Sequence, residues 1–196
     1  MFQSKLAEPF ELSREFFVSL GVPGLFAVAF LEFFLLPVPP DLVLIPLAVA
    51  TPELALVYAA VMTGGSVSAG LVGYTIGRKG GRPAVESRFA GKWVKRTETY
   101  FEKYGSVTLA VGAFAPIPEG YELLSISSGA LGVDLRSYLI ASLIGRGGRY
   151  FLEALLVLAL GEAVQTLSEV QLYALLGAVA VTVITAYLTR RWWYPK

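Results

Sequence analysis

The chain has 196 residues, of which 55% are hydrophobic and 16% are charged, with 16 basic against 15 acidic side chains. A soluble domain averages about 25% charged residues, so this composition cannot cover a water-facing surface and predicts an integral membrane protein. The chain contains no Cys and no His, which excludes disulfides, thiolate or imidazole catalysis and the usual zinc ligands. We therefore expect no cofactor and no metal site, and these absences argue against an enzyme.

The first long apolar stretch covers residues 16–50, which is too long for one helix across a hydrocarbon core of roughly 30 Å. Prolines interrupt its middle, and proline removes an amide donor and disfavours helix at the preceding residue. A backbone broken at bilayer depth is tolerated only where protein or a watery cavity surrounds it. We predict a re-entrant hairpin with its tip at residues 37–41, marked by Pro37, Pro39 and Pro40. The alternative is a kinked spanning helix that ends near Pro37, followed by a short loop.

Residues 54–77 form the first predicted spanning helix. Small residues recur along one side of it at helical spacing, namely Ser66, Gly70, Gly73 and Gly77. Such a pattern lets helix backbones approach closely in lipid, so we expect this helix to pack against others.

Residues 78–104 follow as a basic segment, and eight of the chain's Lys and Arg residues lie there. The positive-inside rule predicts a cytoplasmic loop. Its second part is amphipathic, which predicts a helix in the membrane interface. The residues that share a face opposite the charges are Trp93, Thr97, Tyr100, Phe101 and Tyr104. Topology explains the basic residues, so no nucleic-acid partner is expected.

A second broken stretch, residues 106–133, is interrupted by Pro116 and Pro118, and we predict a second re-entrant hairpin there. Residues 136–161 and 171–189 are two further predicted spanning helices. The last one ends in basic and aromatic residues, which predicts a cytoplasmic C-terminus. The basic segment and the C-terminus are both predicted in the cytoplasm, so an even number of spans must lie between them. The spans 136–161 and 171–189 supply two, so the second broken stretch must enter and leave the membrane on the same side.

The two broken stretches resemble each other. Each carries Pro-X-Pro followed closely by an acid, Asp41 in the first and Glu119 in the second. Each is followed by a helix with Gly-Arg, at Arg78 and Arg146. The fold class predicted is therefore an all-α membrane protein with an inverted repeat, two re-entrant helical hairpins, three spanning helices and an interfacial helix.

Arg146, Arg149 and Glu153 share one face of a predicted spanning helix. Each charge at the bilayer centre costs at least ~2.5–3.5 kcal/mol, so such residues normally face an interior cavity and mark function. The alternative is a self-contained structural pair of Arg149 with Glu153. Arg146 would then need another partner, for which the candidates are Glu32, Asp41, Glu119 and Glu122.

Several motifs together resemble the DedA family (the VTT-domain or SNARE-associated group), nearest its YqaA-like branch. They are Phe33-Phe34-Leu35-Leu36-Pro37-Val38-Pro39-Pro40-Asp41, Gly73-Tyr74-Thr75-Ile76-Gly77-Arg78, Phe114-Ala115-Pro116-Ile117-Pro118 with Ser128-Gly129-Ala130, and Ile144-Gly145-Arg146 with Arg149-Tyr150-Phe151. The resemblance covers residues 15–165. It implies paired re-entrant hairpins, the bacterial inner membrane, and proton-coupled flipping or scrambling of a phospholipid or of undecaprenyl phosphate. The chain departs from the family pattern at Glu119, where a non-acidic residue is expected.

We therefore predict a multi-pass transporter that moves a phosphate-bearing lipid. The expected substrate-binding residues are Arg146, Arg149, Glu119 and Glu122, because two guanidinium groups can hold a phosphate. The expected residues for protons or another coupling ion are Glu32, Asp41 and Glu153; the resemblance implies the first two. A homo-oligomer is compatible with this architecture. The rival hypotheses are a proton-coupled exporter of small cations, a membrane enzyme acting on lipid phosphates, and a membrane scaffold.

Overall fold

The computed structural model describes residues 21–34, 40–87, 89, 91–115, 120–161 and 163, with the single positions 171, 174 and 178. Across these residues the secondary structure is entirely helical, which confirms the predicted all-α class. In chain order the α-helices are α1 (Val22–Leu31), α2 (Asp41–Ala50), α3 (Ala55–Glu86), α4 (Gly91–Tyr104), α5 (Ser106–Phe114), α6 (Gly120–Ala130), α7 (Leu135–Ser142) and α8 (Gly148–Leu160). A 3-10 turn, Pro52–Leu54, precedes α3, and a π-helical segment, Leu143–Gly147, joins α7 to α8.

Several predicted features lie outside the described residues. They include most of the last predicted span (171–189), the C-terminal basic segment, and the predicted tip and site residues Pro37, Pro39, Pro116, Pro118 and Glu119. Pro40 is described and immediately precedes the first residue of α2.

Helix α3 is the longest helix of the described part of the chain. The stretch Pro52–Glu86, made of the 3-10 turn and α3, is the one described stretch long and apolar enough to cross a membrane. Helical backbone continues beyond the predicted end of the span at residue 77 as far as Glu86. Gly81, with φ of 59° and ψ of −154°, has a non-helical backbone and interrupts α3 at a kink. The predicted basic loop 78–104 is therefore mostly helical, being formed by the end of α3 and by α4.

The small residues of α3 allow α6 to pack directly on its backbone. A Cβ atom placed on Gly77 would lie 1.9 Å from the carbonyl oxygen of Ile126, and one on Gly129 would lie 1.9 Å from that of Tyr74. On the same side, a Cβ on Gly73 would overlap the ring of Phe33. Both glycines at the α3–α6 contact are thus required by the close approach, and the predicted packing face is confirmed.

The helices on either side of each proline break contact different partners. In the first half, α1 packs chiefly on α3, whereas α2 packs chiefly on α8 and less extensively on α3. In the second half, α5 packs on the π-helical segment whereas α6 packs on α3. The long helix of the first half is α3, and that of the second half is the π-helical segment continuing into α8. In each half, one helix therefore packs mainly on the long helix of its own half and the other mainly on that of the other half.

Helix α4 is amphipathic, and part of the predicted interfacial face is buried against the protein while part of it is exposed. Thr97 and Phe101 are buried, together with Val94, and α4 packs on α5 and α6. Tyr100 and Tyr104 are exposed. Both of these tyrosines carry a cation beside the ring: Arg96 at 5.9 Å and Lys103 at 5.0 Å from the ring centroid.

Candidate functional site

Charged side chains lie inside the protein while apolar ones cover its outer face. Arg146 and Glu153 are 3% and 1% exposed, whereas their neighbours in sequence Ile144 and Leu155 are 63% and 52% exposed. A water-soluble domain shows the opposite distribution, because its charged residues are almost never fully buried unless they are paired. The buried charges converge from the end of α1, the start of α2, and the helical stretch from the π segment into α8.

Arg146 is held by groups from four helices: the end of α1, α3, α6 and α8. Its Nε donates to Ser66 Oγ at 2.6 Å, and its Nη2 donates to Glu32 Oε2 at 3.0 Å and to the hydroxyl of Tyr150 at 2.7 Å. The guanidinium carbon lies 4.9 Å from the ring centroid of Tyr121 and 5.1 Å from that of Tyr150. Both distances are within the range of a cation–π interaction. The guanidinium is therefore fixed by oxygens at two of its nitrogens and by rings beside its plane.

Arg149 bridges two carboxylates. Its Nη2 donates to Asp41 Oδ2 at 2.5 Å, and its Nε donates to Glu153 Oε1 at 3.0 Å. The Arg149 side chain is only 8% exposed, that of Asp41 3% and that of Glu153 0%. Glu32 differs, because 31% of its side chain remains exposed. Arg149 and its two carboxylate partners are thus buried from solvent, whereas the Arg146–Glu32 pair is accessible to solvent at Glu32.

The π-helical segment sets the position of Arg146. A π turn inserts one residue into a helix and is frequently found at functional sites. Within it, Gly145 approaches α5 so closely that a Cβ would lie 2.5 Å from the Ala110 carbonyl oxygen. A residue larger than glycine there would push the segment away from α5.

Buried hydroxyl groups lie behind the Tyr121 ring. The hydroxyl of Tyr138 donates to Ser125 Oγ at 3.1 Å and lies 3.4 Å from the hydroxyl of Tyr121. Position 70 of α3 faces this pair, and a Cβ there would overlap both tyrosine hydroxyls. The group ties α6, α7 and α3 together next to Arg146.

Five of the predicted site residues form two hydrogen-bonded groups on one helix face, Arg146 with Glu32 and Arg149 with Asp41 and Glu153, which together are called the charged network. Among the predicted partners of Arg146, Glu32 makes the contact. The predicted Arg149–Glu153 pair exists, but it is not self-contained, because Asp41 joins it. Glu122 is buried on α6 beside Tyr121, and Glu119 lies outside the described residues.

The hydroxyl partners of Arg146, Ser66 and Tyr150, were not predicted as site residues. Tyr150 could have been found, because it lies four residues after Arg146 and so shares its helix face. The sequence pattern predicts only a packing role for Ser66. The hydrogen bond that its hydroxyl accepts depends on which helix packs against α3 at this position, and residue spacing within one helix does not show this.

Comparisons with known proteins agree with this architecture. The sequence profile of the VTT domain matches residues 38–159, which include the network residues except Glu32. An uncharacterized protein of Haemophilus influenzae is 28% identical over 165 residues, covering 82% of this chain and 84% of the relative. The uncharacterized membrane protein YbfM of Bacillus subtilis is 28% identical over 148 residues, covering 69% of this chain and 87% of the relative.

No solved structure matches the chain significantly. The domain match spans more than half of the sequence, and it includes the first proline break from residue 38 onward, the whole second break and the arginine-bearing helix. The chain belongs to the VTT-domain (DedA) family, a family of membrane proteins generally regarded as transporters and not as enzymes.

Proposed function

We propose that the protein is a proton-coupled transporter that moves a phosphate-bearing lipid across the bacterial inner membrane. One observation carries the proposal: two buried arginines are each ion-paired to an acid that flanks the first proline break, Arg146 to Glu32 and Arg149 to Asp41. Guanidinium groups match the geometry of phosphate oxygens. Carboxylates can exchange protons. The network therefore combines an anion-binding group with a proton-binding group in one place.

Buried ion pairs are a poor way to stabilise a fold, because desolvation cancels much of their attraction. Charges at membrane depth are retained chiefly where a transport or binding function needs them. The Glu32 side chain, the ion-pair partner of Arg146, is partly exposed. A purely structural ion pair does not need this exposure. These points favour a network whose pairs exchange partners.

The two proline-broken stretches are proposed to be re-entrant hairpins of an inverted repeat, with α1 and α2 as arms of one and α5 and α6 as arms of the other. The reciprocal packing of the two halves supports this arrangement. So does the position of Asp41, the first residue of α2, at a helix end that meets the charged network. The proposed spans remain 54–77, 136–161 and 171–189, with the basic segment and the C-terminus in the cytoplasm.

The test is reconstitution of the purified protein into liposomes that carry fluorescent lipids with different headgroups. We expect lipid to move between leaflets faster than in empty liposomes, and faster still with a pH gradient. Arg146→Ala should abolish this movement, whereas Arg82→Ala, at an exposed ion pair with Glu86, should not. Absence of lipid movement for every headgroup would overturn the proposal.

A cation exporter is the second candidate, and the charge of the network favours it. Its described members contain three carboxylates against two guanidinium groups. An exporter would move a small cation through the reconstituted protein while lipid stays in place. Neutral changes at Glu32 and Asp41 would then stop the cation flux.

A further inference from the structure

We infer that the outward side of helix α4 is a binding surface for the anionic headgroups of membrane lipids, separate from the buried charged network. Four exposed residues form the surface and are called the outer stripe: Lys92, Arg96, Thr99 and Lys103. The rings of Tyr100 and Tyr104 lie along one edge of it. The inference does not depend on lipid transport, because these lipids bind from the bilayer surface and need not cross the membrane.

The outer stripe lies on the opposite side of α4 from the face that packs on the protein. Val94, Thr97 and Phe101 are buried, and α4 packs on α5 and α6. The stripe residues recur at i, i+4, i+7 and i+11, which is the spacing of one helix face. At 3.6 residues per turn, the centre of that face is roughly 160° around the helix from the centre of the buried one. The stripe therefore points away from the protein.

The positive charge of the outer stripe is not balanced by the acids of α4. Among the described residues, the ion pairs include neither Lys92 nor Lys103. Glu98 lies off the stripe and pairs with Arg82 of α3 at 3.5 Å. Glu102 is adjacent to Lys103 in sequence, and adjacent residues of a helix do not face each other. The stripe thus presents lysine ammonium groups that an external anion can reach.

The two tyrosines place the basic side chains at the level of lipid headgroups. Their rings stack with centroids 6.4 Å apart and are 42% and 50% exposed, for Tyr100 and Tyr104 respectively. The Arg96 guanidinium carbon lies 5.9 Å from the Tyr100 ring centroid, and Lys103 Nζ lies 5.0 Å from that of Tyr104. Tyrosine is enriched at the membrane–water interface, where its ring is apolar and its hydroxyl meets water. A cation beside such a ring is well placed to meet a headgroup phosphate.

The neighbouring helices identify the partner as a bilayer surface and not as a soluble polyanion. Helix α4 follows α3, which belongs to the described stretch long and apolar enough to cross a membrane. It leads into α5, which exposes the apolar side chains Val107 and Val111. A basic segment next to a membrane span attracts anionic lipids, and each Lys or Arg near the surface strengthens the attraction about five-fold.

The experiment measures which lipid gathers at the outer stripe of the full-length protein in phosphatidylcholine nanodiscs. A fluorophore on Thr99→Cys reports on this position without background, because the native chain has no Cys. Spin-labelled phosphatidylglycerol, which is anionic, and spin-labelled phosphatidylcholine, which is neutral overall, serve as quenchers at the same low mole fraction. At low salt we expect phosphatidylglycerol to quench at least about three-fold more strongly. In 1 M salt, where the screening length is about 3 Å, the two lipids should quench equally.

A pair of double variants tests the position of the charges. Lys92→Gln with Lys103→Gln removes two charges of the stripe and should remove most of the preference for phosphatidylglycerol. Lys79→Gln with Arg136→Gln is the matched control, because it removes two positive charges at exposed positions of α3 and α7, and it should keep most of the preference.

The unlabelled protein gives a second readout that does not depend on the fluorophore. A lipid that binds the folded state raises the midpoint of thermal unfolding. In detergent, phosphatidylglycerol should therefore raise the midpoint more than phosphatidylcholine does. The stripe variant should lose this difference, and the control variant should keep it.

Equal quenching by the two lipids at low salt would overturn the inference. So would an equal loss of preference in both double variants, because net charge and not the outer stripe would then attract the lipid. Displacement of phosphatidylglycerol by heparin added below its equivalent charge would identify a soluble polyanion as the partner and would also overturn it. These outcomes leave the proposed lipid transport intact, since transport is measured separately with the native chain in liposomes.

Discussion

At the residue scale, the geometry of Arg146 requires a planar, forked donor. Two of its nitrogens donate to three oxygens, from Ser66, Glu32 and Tyr150, and its flat face lies near two aromatic rings. A lysine ammonium is a compact point charge that cannot reproduce this arrangement.

We therefore predict that Arg146→Lys lowers lipid transport at least about ten-fold although the charge is kept, because guanidinium and ammonium are not interchangeable at such sites. The measurement is the liposome assay with protein quantified after reconstitution. Arg82→Lys is the control, because Arg82 is exposed and pairs with Glu86 at the surface. Transport at the native rate by Arg146→Lys would exclude a phosphate-holding role.

Among the residues of the charged network, Arg149 is predicted to cause the largest loss of stability when it is replaced. Arg149→Ala leaves Asp41 and Glu153 buried without their shared cation, and breaking a buried ion pair costs about 3–5 kcal/mol of stability. Thermal unfolding in detergent measures this loss.

The double variant Arg149→Ala with Glu153→Ala should regain only part of that stability, because the Asp41 carboxylate still lacks the guanidinium. We expect no recovery of transport. Full recovery of both stability and transport would mean that Arg149 and Glu153 are merely structural counter-ions.

At the element scale, the α3–α6 contact depends on glycine at position 77. Gly77→Ala would place a Cβ against the Ile126 carbonyl, and such overpacking typically costs about 1–3 kcal/mol. Gly64→Ala in the same helix meets no atom within 4 Å and should be neutral or stabilising by up to about 1 kcal/mol, because alanine is the better helix former. Thermal unfolding of the two variants compares them directly, and equal midpoints would contradict the close packing.

The proposed hairpin tips lead to an accessibility prediction. The native chain has no Cys, so single cysteines at Val38 and Ile117 can be labelled without background. Broken backbone at membrane depth must face protein or a polar cavity, so a small water-soluble thiol reagent should react slowly and a bulky one should not react. Rapid labelling by the bulky reagent would place these residues in ordinary surface loops.

At the scale of the whole molecule, charge predicts the orientation in the membrane. The basic segment 78–104 and the basic C-terminal residues are both expected in the cytoplasm. Cysteines introduced at Lys92 and Lys196 should therefore resist a membrane-impermeant thiol reagent in intact cells and react after the cells are opened. Labelling of both cysteines in intact cells would mean that the topology is the reverse of the predicted one. Labelling of only one would mean that an odd number of spans lies between them.

Local sequence patterns alone determined the helical class, the small-residue face of α3 and the shared helix face of Arg146, Arg149 and Glu153, whereas the coupling role of Glu32 and Asp41 came from the family resemblance. The physical reason is that helical spacing places Arg146, Arg149 and Glu153 on one face, and that glycine and proline act on the backbone at their own positions. The family also followed from short motifs, which the domain match confirmed.

Only the tertiary structure decided which acid meets which arginine. Glu32 and Arg146 are 114 positions apart, and Asp41 and Arg149 are 108 apart, so their pairing depends on how α1 and α2 dock on the other helices. The π-helical segment and the extension of α3 to Glu86 were also missed. Gly145 of the π-helical segment lies against α5, and Val85 near the end of α3 packs with Ile126 of α6. A pattern within one helix carries no information about such contacts.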